Sequence, residues 1–376
     1  MAAKTSGLLY AIAPATPFER AAAMKEAATV TTPQRMTRTR VLEVMSLAAD
    51  RALEYPYKIW GYGEGPALRA VLLASQTLDR PALADAVADL VTASLAAAAD
   101  EETDHLIPVE VLLELRRLRP GIDVCDAVDR FTAAVAHAAR PILGQPQVHR
   151  PHHPSLGRLI WVDCLHTDAP GLALTGQSTL ATEVTLQAVQ ALQDDTGLFS
   201  HGYHVDTGMS SAIHWARGQG WALYGLVGLL TLAPSAAGVL LGSLQRLLQG
   251  LSEHERNGRW STIVDDPHSP AEASLSPITA TTLHHGIAAG FINPRWRDLA
   301  DRALNATLDA VTGKGELLVS EATPVGDAAT YYNRRSGVFP WGQGPLIDAL
   351  HTALSHATAA TSSTTPPAPP RQGATS

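Results

Sequence analysis

The chain has 376 residues, of which 45% are hydrophobic and 17% are charged, a composition typical of a folded globular protein rather than a disordered or membrane-embedded one. Acidic residues outnumber basic ones by 36 to 28, which gives a net charge of −8 at pH 7. Because the sequence has no run of Lys or Arg to neutralise phosphates, we expect no nucleic-acid partner.

Cysteine content and the N-terminal segment bear on the cellular compartment. Cys125 and Cys164 are the only cysteines, too few for a disulfide scaffold and without metal-ligand spacing. The apolar run 8–13 is at or below the shortest core of a signal peptide, about 7 residues. No segment approaches the roughly 18 apolar residues of a membrane helix. We therefore predict a cytoplasmic protein with no membrane partner, and a weak signal peptide is the alternative.

Helical periodicity dominates the chain after an N-terminal arm, which is predicted over residues 1–36 from their Ala, Thr and Pro content. Beyond the arm, apolar residues recur at spacings of three and four. They predict twelve helices, over 37–55, 64–78, 82–99, 106–118, 123–138, 159–174, 179–192, 211–232, 236–251, 274–289, 297–311 and 343–357. Residues 358–376, rich in Ser, Thr and Pro, are predicted to form a disordered tail.

The connections between these helices are polar and contain Gly and Pro, and no run of alternating strand residues is found. The fold class is therefore predicted to be all-α. Short and long loops alternate, which suggests that residues 37–357 form six α-hairpins closed into a toroid with a cleft at its loop end. The alternative is an open solenoid, but the fixed-period repeats of solenoids are not found.

The segment Trp215-Ala216-Arg217-Gly218-Gln219-Gly220-Trp221 combines two indoles and a guanidinium within two helical turns. Indole faces pack on sugar rings, and Arg binds carboxylates through two parallel hydrogen bonds. Arg217 and Trp221 are four residues apart and would share one helix face. This pattern indicates a site for an acidic sugar; the alternative is a core helix with space-filling tryptophans and a buried structural arginine.

Two aspartates are candidate catalytic residues. Asp163 is the only charged residue in the apolar run 159–165, and burial of a carboxylate is costly unless it has a specific role. Desolvation there is expected to raise the pKa of Asp163 towards the range of a general acid. The alternatives are a helix-end cap or a core ion pair for Asp163, and an N-cap for Asp104, which precedes the predicted helix 106–118.

Histidines and aromatic residues lie in the connecting loops. His149, His152 and His153 occur in a Pro-rich loop, where substrate contact or surface exposure is favoured over metal binding because helix spacing and an acidic third ligand are missing. Trp60 precedes the predicted helix 64–78 among glycines that permit tight turns, so it could line a cleft. We expect neither a metal ion nor a cofactor.

These motifs together resemble glycoside hydrolase families 88 and 105, the unsaturated glucuronyl and unsaturated rhamnogalacturonyl hydrolases, from about residue 57 to the final helix. The segment 215–221 resembles the Trp-x-Arg-Gly-x-Gly/Ala-Trp signature of these families, and Trp161-Val162-Asp163 resembles the Trp-x-Asp that carries their catalytic aspartate. Asp104 resembles their second aspartate, His201 their substrate-contacting histidine, and Gly342-Gln343-Gly344-Pro345 their closing Gly-x-Gly-Pro. The resemblance implies an (α/α)6 barrel.

The resemblance also implies a reaction: removal of a 4,5-unsaturated uronic acid from the non-reducing end of an oligosaccharide made by a lyase. Asp163 would protonate C4 of the enol ether and assist the attack of water on C5, and Asp104 would orient the ring or tune Asp163. The implied partner is a small acidic oligosaccharide. The residues expected to bind it are Trp60, His152, His153, His201, Trp215, Arg217 and Trp221.

Two other functions are alternative hypotheses. One is a sugar epimerase or isomerase of the related barrel type, which would use His as acid and base and is motivated by the histidines near each candidate loop. The other is a glycan-binding barrel without catalysis. It is motivated by His166-Thr167-Asp168, where the two families usually have apolar residues.

Overall fold

The computed structural model describes residues 36–57, 63–97, 107–138 and 158–362. Most of these residues are helical, which confirms the predicted all-α class. Residues 1–35 of the N-terminal arm and 363–376 of the tail lie outside the described residues, so these two assignments stay predictions there. The predicted start of the disordered tail at residue 358 was wrong, because residues 358–362 continue the last helix.

Two sets of six helices form the body of the described chain. The outer set is α1 (Arg38–Leu53), α3 (Pro81–Ala97), α5 (Cys125–Ala138), α7 (Ser178–Leu192), α9 (Ala237–Glu253) and α11 (Arg297–Ala310). The inner set is α2 (Glu64–Thr77), α4 (Val109–Leu118), α6 (Asp168–Leu174), α8 (Ala216–Leu232), α10 (Leu275–Ala288) and α13 (Pro340–Ser362). These positions agree with the predicted helices within a few residues, except for the segment that precedes α6.

The inner helices contact one another in a closed ring, in the order α2, α4, α6, α8, α10 and α13, with α13 packed against α2. Closure of the last inner helix on the first excludes an open solenoid and confirms the (α/α)6 barrel. Outer and inner helices alternate along the chain, so the inner helices run parallel and present their N-terminal ends at one end of the barrel.

Burial explains which helices face solvent. In α1, the buried residues Val41, Val44, Met45, Ala48 and Ala52 recur at spacings of three and four, so only one stripe of the helix faces the core. The inner helix α8 is buried on nearly all sides, because it packs against its inner neighbours α6 and α10 and against the outer helix α9. No single helix in the described ranges is long and apolar enough to cross a membrane. The helix pair Ala216–Leu232 and Pro234–Glu253 reaches the required length and composition only when its two helices are taken together, and it is bent by 117° at the break between them.

The predicted helix 159–174 is wrong in its first half, and short strands replace it. β1 (Leu159–Trp161) pairs antiparallel with β2 (Gly202–His204), which pairs with β3 (Met209–Ser210). A 3-10 helix, Val162–His166, then leads to α6. Two further hairpins are β4 (Trp260–Ser261) with β5 (Ala271–Glu272), and β6 (Leu318–Ser320) with β7 (Ser336–Val338), which flank the short helix α12 (Ala328–Tyr332).

Candidate active site

A cavity of about 490 Å³ lies where the inner helices begin. Glu64 at the start of α2, Trp215 at the N-cap of α8 and Trp341 in the first turn of α13 line it. The peptide N–H groups at helix N-termini carry partial positive charge and favour anions. Other lining residues are Tyr55, Gly63, Leu159, Trp161, Asp163, His201, His204, Arg217, Trp221, Ala322, Thr323, Pro324 and Val325.

Strand pairing and two glycines bring Asp163 to this cavity. The register pairs Trp161 with Gly202, and the Val162 amide donates a hydrogen bond to the His201 carbonyl at 3.1 Å. On α8, a Cβ at Gly218 would meet Val162 Cγ1 at 2.7 Å, and a Cβ at Gly225 would overlap the Leu165 carbonyl. Because these glycines lie two turns apart on one helix face, the 3-10 segment can pack directly against α8, and Asp163 is buried beside His201.

A hydrogen-bonded chain runs from Asp163 through His201 to Tyr331. His201 Nε2 lies 3.1 Å from Asp163 Oδ2, and His201 Nδ1 lies 2.7 Å from the Tyr331 hydroxyl. An ionised carboxylate can only accept, so Nε2 carries the proton, and in the neutral imidazole Nδ1 accepts from the tyrosine O–H. Burial raises the pKa of Tyr331 far above its ordinary value. Tyr331 therefore stays a donor and fixes the tautomer of His201.

The pKa of Asp163 differs from the sequence-based expectation. Burial does raise the pKa of this carboxyl, as expected, but the hydrogen bond from His201 and the nearby basic side chains, Arg217 among them, lower it by more. The pKa of Asp163 therefore lies below its ordinary value, and the unliganded site holds a carboxylate. The prediction of a raised pKa was wrong because it took account of burial and not of the groups that meet the carboxyl across the fold.

The guanidinium of Arg217 faces a strand rather than the open cavity. Its NH1 donates to the Ser320 carbonyl at 2.8 Å and its NH2 to the Glu321 carbonyl at 2.8 Å. The side chain is only 2% exposed and lies 4.4 Å from the Trp215 ring centroid. These contacts engage both terminal nitrogens of the guanidinium, so Arg217 holds β6 in place and contributes charge at the cavity.

Glu272 on β5 completes this cluster. Its Oε1 lies 3.7 Å from Arg217 NH1 and accepts from the Ser274 amide at 3.1 Å, while its Oε2 accepts from the Ser320 amide at 3.2 Å. The carboxylate is fully buried, so Arg217 is its compensating charge. The start of α8 is thereby joined to β5 and β6.

Trp215 and Trp221 are both nearly fully buried, and each stacks on a protein group. The Trp215 ring lies 4.4 Å from His201, and the Trp221 ring lies 4.4 Å from His166 with an interplanar angle of 20°. Both indoles line the cavity, but their exposed fractions are only 2% and 1%. The half-buried Trp161 on β1 offers a larger aromatic surface there. Sugar stacking, predicted for Trp215 and Trp221, is therefore better supported for Trp161.

Gln219 explains why a polar residue lies at the centre of the 215–221 segment. Its Oε1 accepts from the Phe199 amide at 2.8 Å and its Nε2 donates to the Phe199 carbonyl at 2.7 Å, which anchors the strand leading to His201. On α13, Gln343 binds the Leu317 amide and the Gly315 carbonyl, each at 2.8 Å. The two side chains fix the loops that border the cavity in the same way.

His214, next to Trp215, is held between two carboxylates. Its Nε2 lies 2.8 Å from Asp194 Oδ2 and its Nδ1 lies 2.8 Å from Asp265 Oδ2. Burial lowers the pKa of His214, but the hydrogen bonds and charges of Asp265 and Asp194 raise it by more, so the folded-state pKa exceeds the ordinary value. The imidazolium thus ties two loops together behind the start of α8.

This arrangement predicts a pH dependence of stability. The pKa of His214 is higher in the folded than in the unfolded chain. Its contribution to the free energy of unfolding is therefore complete below about pH 6.5 and is lost as pH rises through the folded-state pKa. We expect the free energy of unfolding, measured with urea across this window, to fall less steeply in His214→Asn than in the wild type. His268→Asn, at an exposed histidine, is the control. An identical slope in wild type and His214→Asn would contradict the prediction.

Trp60, Asp104, His152 and His153 lie outside the described residues, so their predicted roles stay predictions. The sequence interpretation did not include Glu64 or Tyr331 among the candidate site residues. One signal for Glu64 is in the sequence: Gly63-Glu64-Gly65, Gly218-Gln219-Gly220 and Gly342-Gln343-Gly344 each lie at the start of an inner helix. Tyr331 offers no comparable signal, because its partner is 130 residues away.

Comparison with known proteins supplies the family context. The family model for Glycosyl Hydrolase Family 88 matches residues 34–356. The unsaturated rhamnogalacturonyl hydrolase YesR of Bacillus subtilis (strain 168) is 33% identical over 176 residues, 43% of this chain and 48% of YesR, so the alignment spans about half of that relative's length.

Solved structures support the barrel fold. A possible member of the GH105 family from Salmonella enterica subsp. enterica serovar Paratyphi A str. ATCC 9150 has a TM-score of 0.77 at 19% identity, covering 86% of this chain and 96% of that one. The unsaturated glucuronyl hydrolase of Bacillus sp. GL1, described as responsible for the degradation of glycosaminoglycan, has a TM-score of 0.63 at 17% identity, covering 84% and 96%.

Proposed function

Because the chain belongs to Glycosyl Hydrolase Family 88, we propose that it removes a 4,5-unsaturated glucuronyl or galacturonyl residue from the non-reducing end of lyase-generated oligosaccharides by hydrating the C4=C5 bond. The observation that carries the proposal is the buried Asp163, held by His201 within a cavity walled by aromatic side chains. The names of YesR and of the Bacillus sp. GL1 enzyme support this substrate class.

The cavity suits a small acidic sugar. Its volume of about 490 Å³ falls within the range of small-molecule pockets, roughly 300–1,000 Å³. The N-terminal ends of α2, α8 and α13 meet at it, and their partial positive charge favours a carboxylate. Trp161 supplies an apolar face for the C–H groups of a pyranose ring. A uronate therefore finds an electrostatic and an apolar partner in the same cavity.

Binding of a uronate prepares Asp163 for its task. In the unliganded site the carboxyl is ionised, since its pKa is lowered. An anionic ligand carboxylate within a few ångströms disfavours a second negative charge and raises the pKa of Asp163 again. The proton that Asp163 must deliver is thus taken up together with the substrate. Substrate binding supplies the condition for a general acid that burial alone does not establish.

The protonated Asp163 then transfers its proton to C4 of the enol ether, and the positive charge that develops at C5 is delocalised onto the ring oxygen. The resulting carboxylate accepts a proton from the water that adds to C5. The hemiketal at C5 opens, and the hemiacetal left at C1 expels the rest of the chain. One carboxyl donates and accepts in turn, so no second carboxylate has to attack the anomeric carbon.

The role of His201 predicts a change in the pH–rate profile. Since the acid form of Asp163 transfers the proton, kcat/KM should fall as pH rises through its pKa. His201→Ala removes the hydrogen bond that lowers this pKa, so the alkaline limb of the profile should move to higher pH. Tyr331→Phe keeps the hydrogen bond between His201 and Asp163 and should leave the alkaline limb of the profile closer to that of the wild type. An unchanged limb in His201→Ala would show that His201 does not tune Asp163.

The test of the proposed function is direct. Unsaturated disaccharides with glucuronyl or galacturonyl ends absorb in the ultraviolet through the double bond conjugated to the carboxylate. We expect this absorbance to disappear on incubation with the protein for at least one of the two classes, with release of the second sugar. Persistent absorbance with both classes would refute the proposal. Their relative rates would identify the preferred uronate.

A further inference from the structure

His166 contacts the residue to which the proposed chemistry is assigned. It ends the 3-10 helix Val162–His166, and its Nδ1 lies within hydrogen-bond distance of the Asp163 backbone carbonyl. A carbonyl oxygen can only accept, so Nδ1 carries the proton and donates it to this bond. The His166 side chain is buried, and the proposed proton transfer does not use it. Its contact with Asp163 therefore calls for a separate explanation.

Two imidazoles bind Asp163 at two different groups. His201 binds the carboxyl, with Nε2 at 3.1 Å from Oδ2, and His166 binds the backbone carbonyl of the same residue. Each imidazole packs on an indole from the start of α8. The Trp215 ring lies 4.4 Å from His201, and the Trp221 ring lies 4.4 Å from His166 at an interplanar angle of 20°. Asp163 is thus held by two side chains that α8 supports.

The 3-10 helix that carries Asp163 is short. Its five residues form hydrogen bonds of poorer geometry than those of an α-helix, and the amide of Thr167, which follows it, lies 3.4 Å from the Cys164 carbonyl. A histidine that binds a carbonyl near the end of a helix is a common structural cap. Here the capped carbonyl belongs to Asp163, so the bond fixes the peptide group next to the Cα from which the carboxyl projects.

We infer that His166 is a positioning residue for Asp163. Its hydrogen bond to the Asp163 carbonyl keeps the carboxyl within reach of His201 and of the cavity, and the Trp221 ring keeps His166 in place. The expected effect on turnover rests on the proposed function, whereas the geometry can be measured without substrate. His166, which motivated the hypothesis of a barrel without catalysis, is thereby assigned to the placement of the proposed general acid.

Two substitutions separate the donor of His166 from its ring. Asn places its amide nitrogen close to the position of Nδ1 and keeps a donor for the Asp163 carbonyl, whereas Phe keeps a ring on Trp221 and has no donor. His166→Phe should lower kcat by about 10- to 100-fold, since a small misplacement of a catalytic group has effects of this size, and should leave KM near that of the wild type. His166→Asn should keep kcat close to that of the wild type.

The control makes the same exchange at another buried histidine. His284 pairs with Asp301 at 3.1 Å, and His284→Phe should turn over substrate as the wild type does. If His166→Phe does not fold, His166→Gln takes its place, because the longer side chain puts its amide nitrogen nearer the position of Nε2 than that of Nδ1. Unchanged kcat in the variant without the donor, or an equal loss in His166→Asn, would overturn the inference.

A double-mutant cycle on stability tests the inference without substrate. His201→Ala removes the hydrogen bond to the Asp163 carboxyl. If His166 positions this carboxyl, His201→Ala should reduce the equilibrium constant of folding by a smaller factor in His166→Phe than in the wild type, with a difference of about 2-fold or more. Urea unfolding is the measurement. Equal factors would mean that the two histidines act independently and would overturn the inference.

The cycle also separates this inference from the proposed function. An absence of turnover in the wild type would refute the proposed function, and the cycle would still decide whether His166 positions Asp163. Turnover in the wild type together with equal factors in the cycle would refute the positioning role alone.

Discussion

Asp163→Asn should lower turnover of an unsaturated disaccharide by about 10²- to 10⁴-fold, the contribution expected of a positioned general acid and base. Asn has nearly the shape of Asp, and its Oδ1 can still accept the hydrogen bond that His201 Nε2 donates at 3.1 Å. It has no acidic proton to transfer to C4. The free energy of unfolding should fall only modestly, because the amide keeps the hydrogen bond from His201 and loses only the charge interactions that lower the pKa of Asp163. Initial rates and urea unfolding measure the two quantities.

Asp309→Asn is the matched control, since Asp309 is 53% exposed on α11 and pairs only loosely with Arg259 at 3.7 Å. It should retain wild-type turnover. Near wild-type rates in Asp163→Asn would remove this residue from the chemistry. Loss of rate together with loss of substrate binding would assign Asp163 to binding. Calorimetric titration of the disaccharide into the inactive variant distinguishes these cases.

The barrel could be predicted from the sequence because its helices are long and periodic. An outer helix such as α1 buries one stripe of residues, and this produces the three-and-four spacing that identifies it. The segment Leu159–Trp161 was assigned to a helix because a strand of three residues, two of them fully buried, is too short to show alternation. Its partner β2 lies some forty residues later in the chain, so only the folded structure reveals the pairing.

The candidate site was only partly predictable, for a similar reason. Asp163 could be identified because burying a single charge within an apolar run is costly unless the charge has a specific role. The direction of its pKa shift could not, since it depends on His201, 38 residues away. The donors of Arg217 are evident from its chemistry, but their acceptors are the carbonyls of Ser320 and Glu321, more than a hundred residues away. Residue type predicts the chemistry that a side chain can perform, and the fold determines which groups the side chain contacts.

The second large expected effect is on stability and follows from the contacts of Arg217. Arg217→Ala should destabilise the folded protein by about 3–5 kcal/mol, the usual cost of leaving one member of a buried ion pair alone. The fully buried Glu272 would lose its compensating charge at 3.7 Å, and the carbonyls of Ser320 and Glu321 would lose their donors. The free energy of unfolding in urea is the measurement. Arg40→Ala, which breaks a pair with Glu43 in which both side chains are exposed, should cost no more than about 1 kcal/mol.

A double-mutant cycle with Glu272→Gln then separates a structural role for Arg217 from direct binding of a substrate carboxylate. If Glu272 is the partner, neutralising it relieves the unpaired charge, and the double variant should be less destabilised than the sum of the single variants by about 0.5–3 kcal/mol. If Arg217 instead grips the substrate, Arg217→Ala should leave stability near that of the wild type and raise KM, and the cycle should show no coupling. The hydrogen bonds to the Ser320 and Glu321 carbonyls favour the first outcome, because they engage NH1 and NH2 before any substrate arrives.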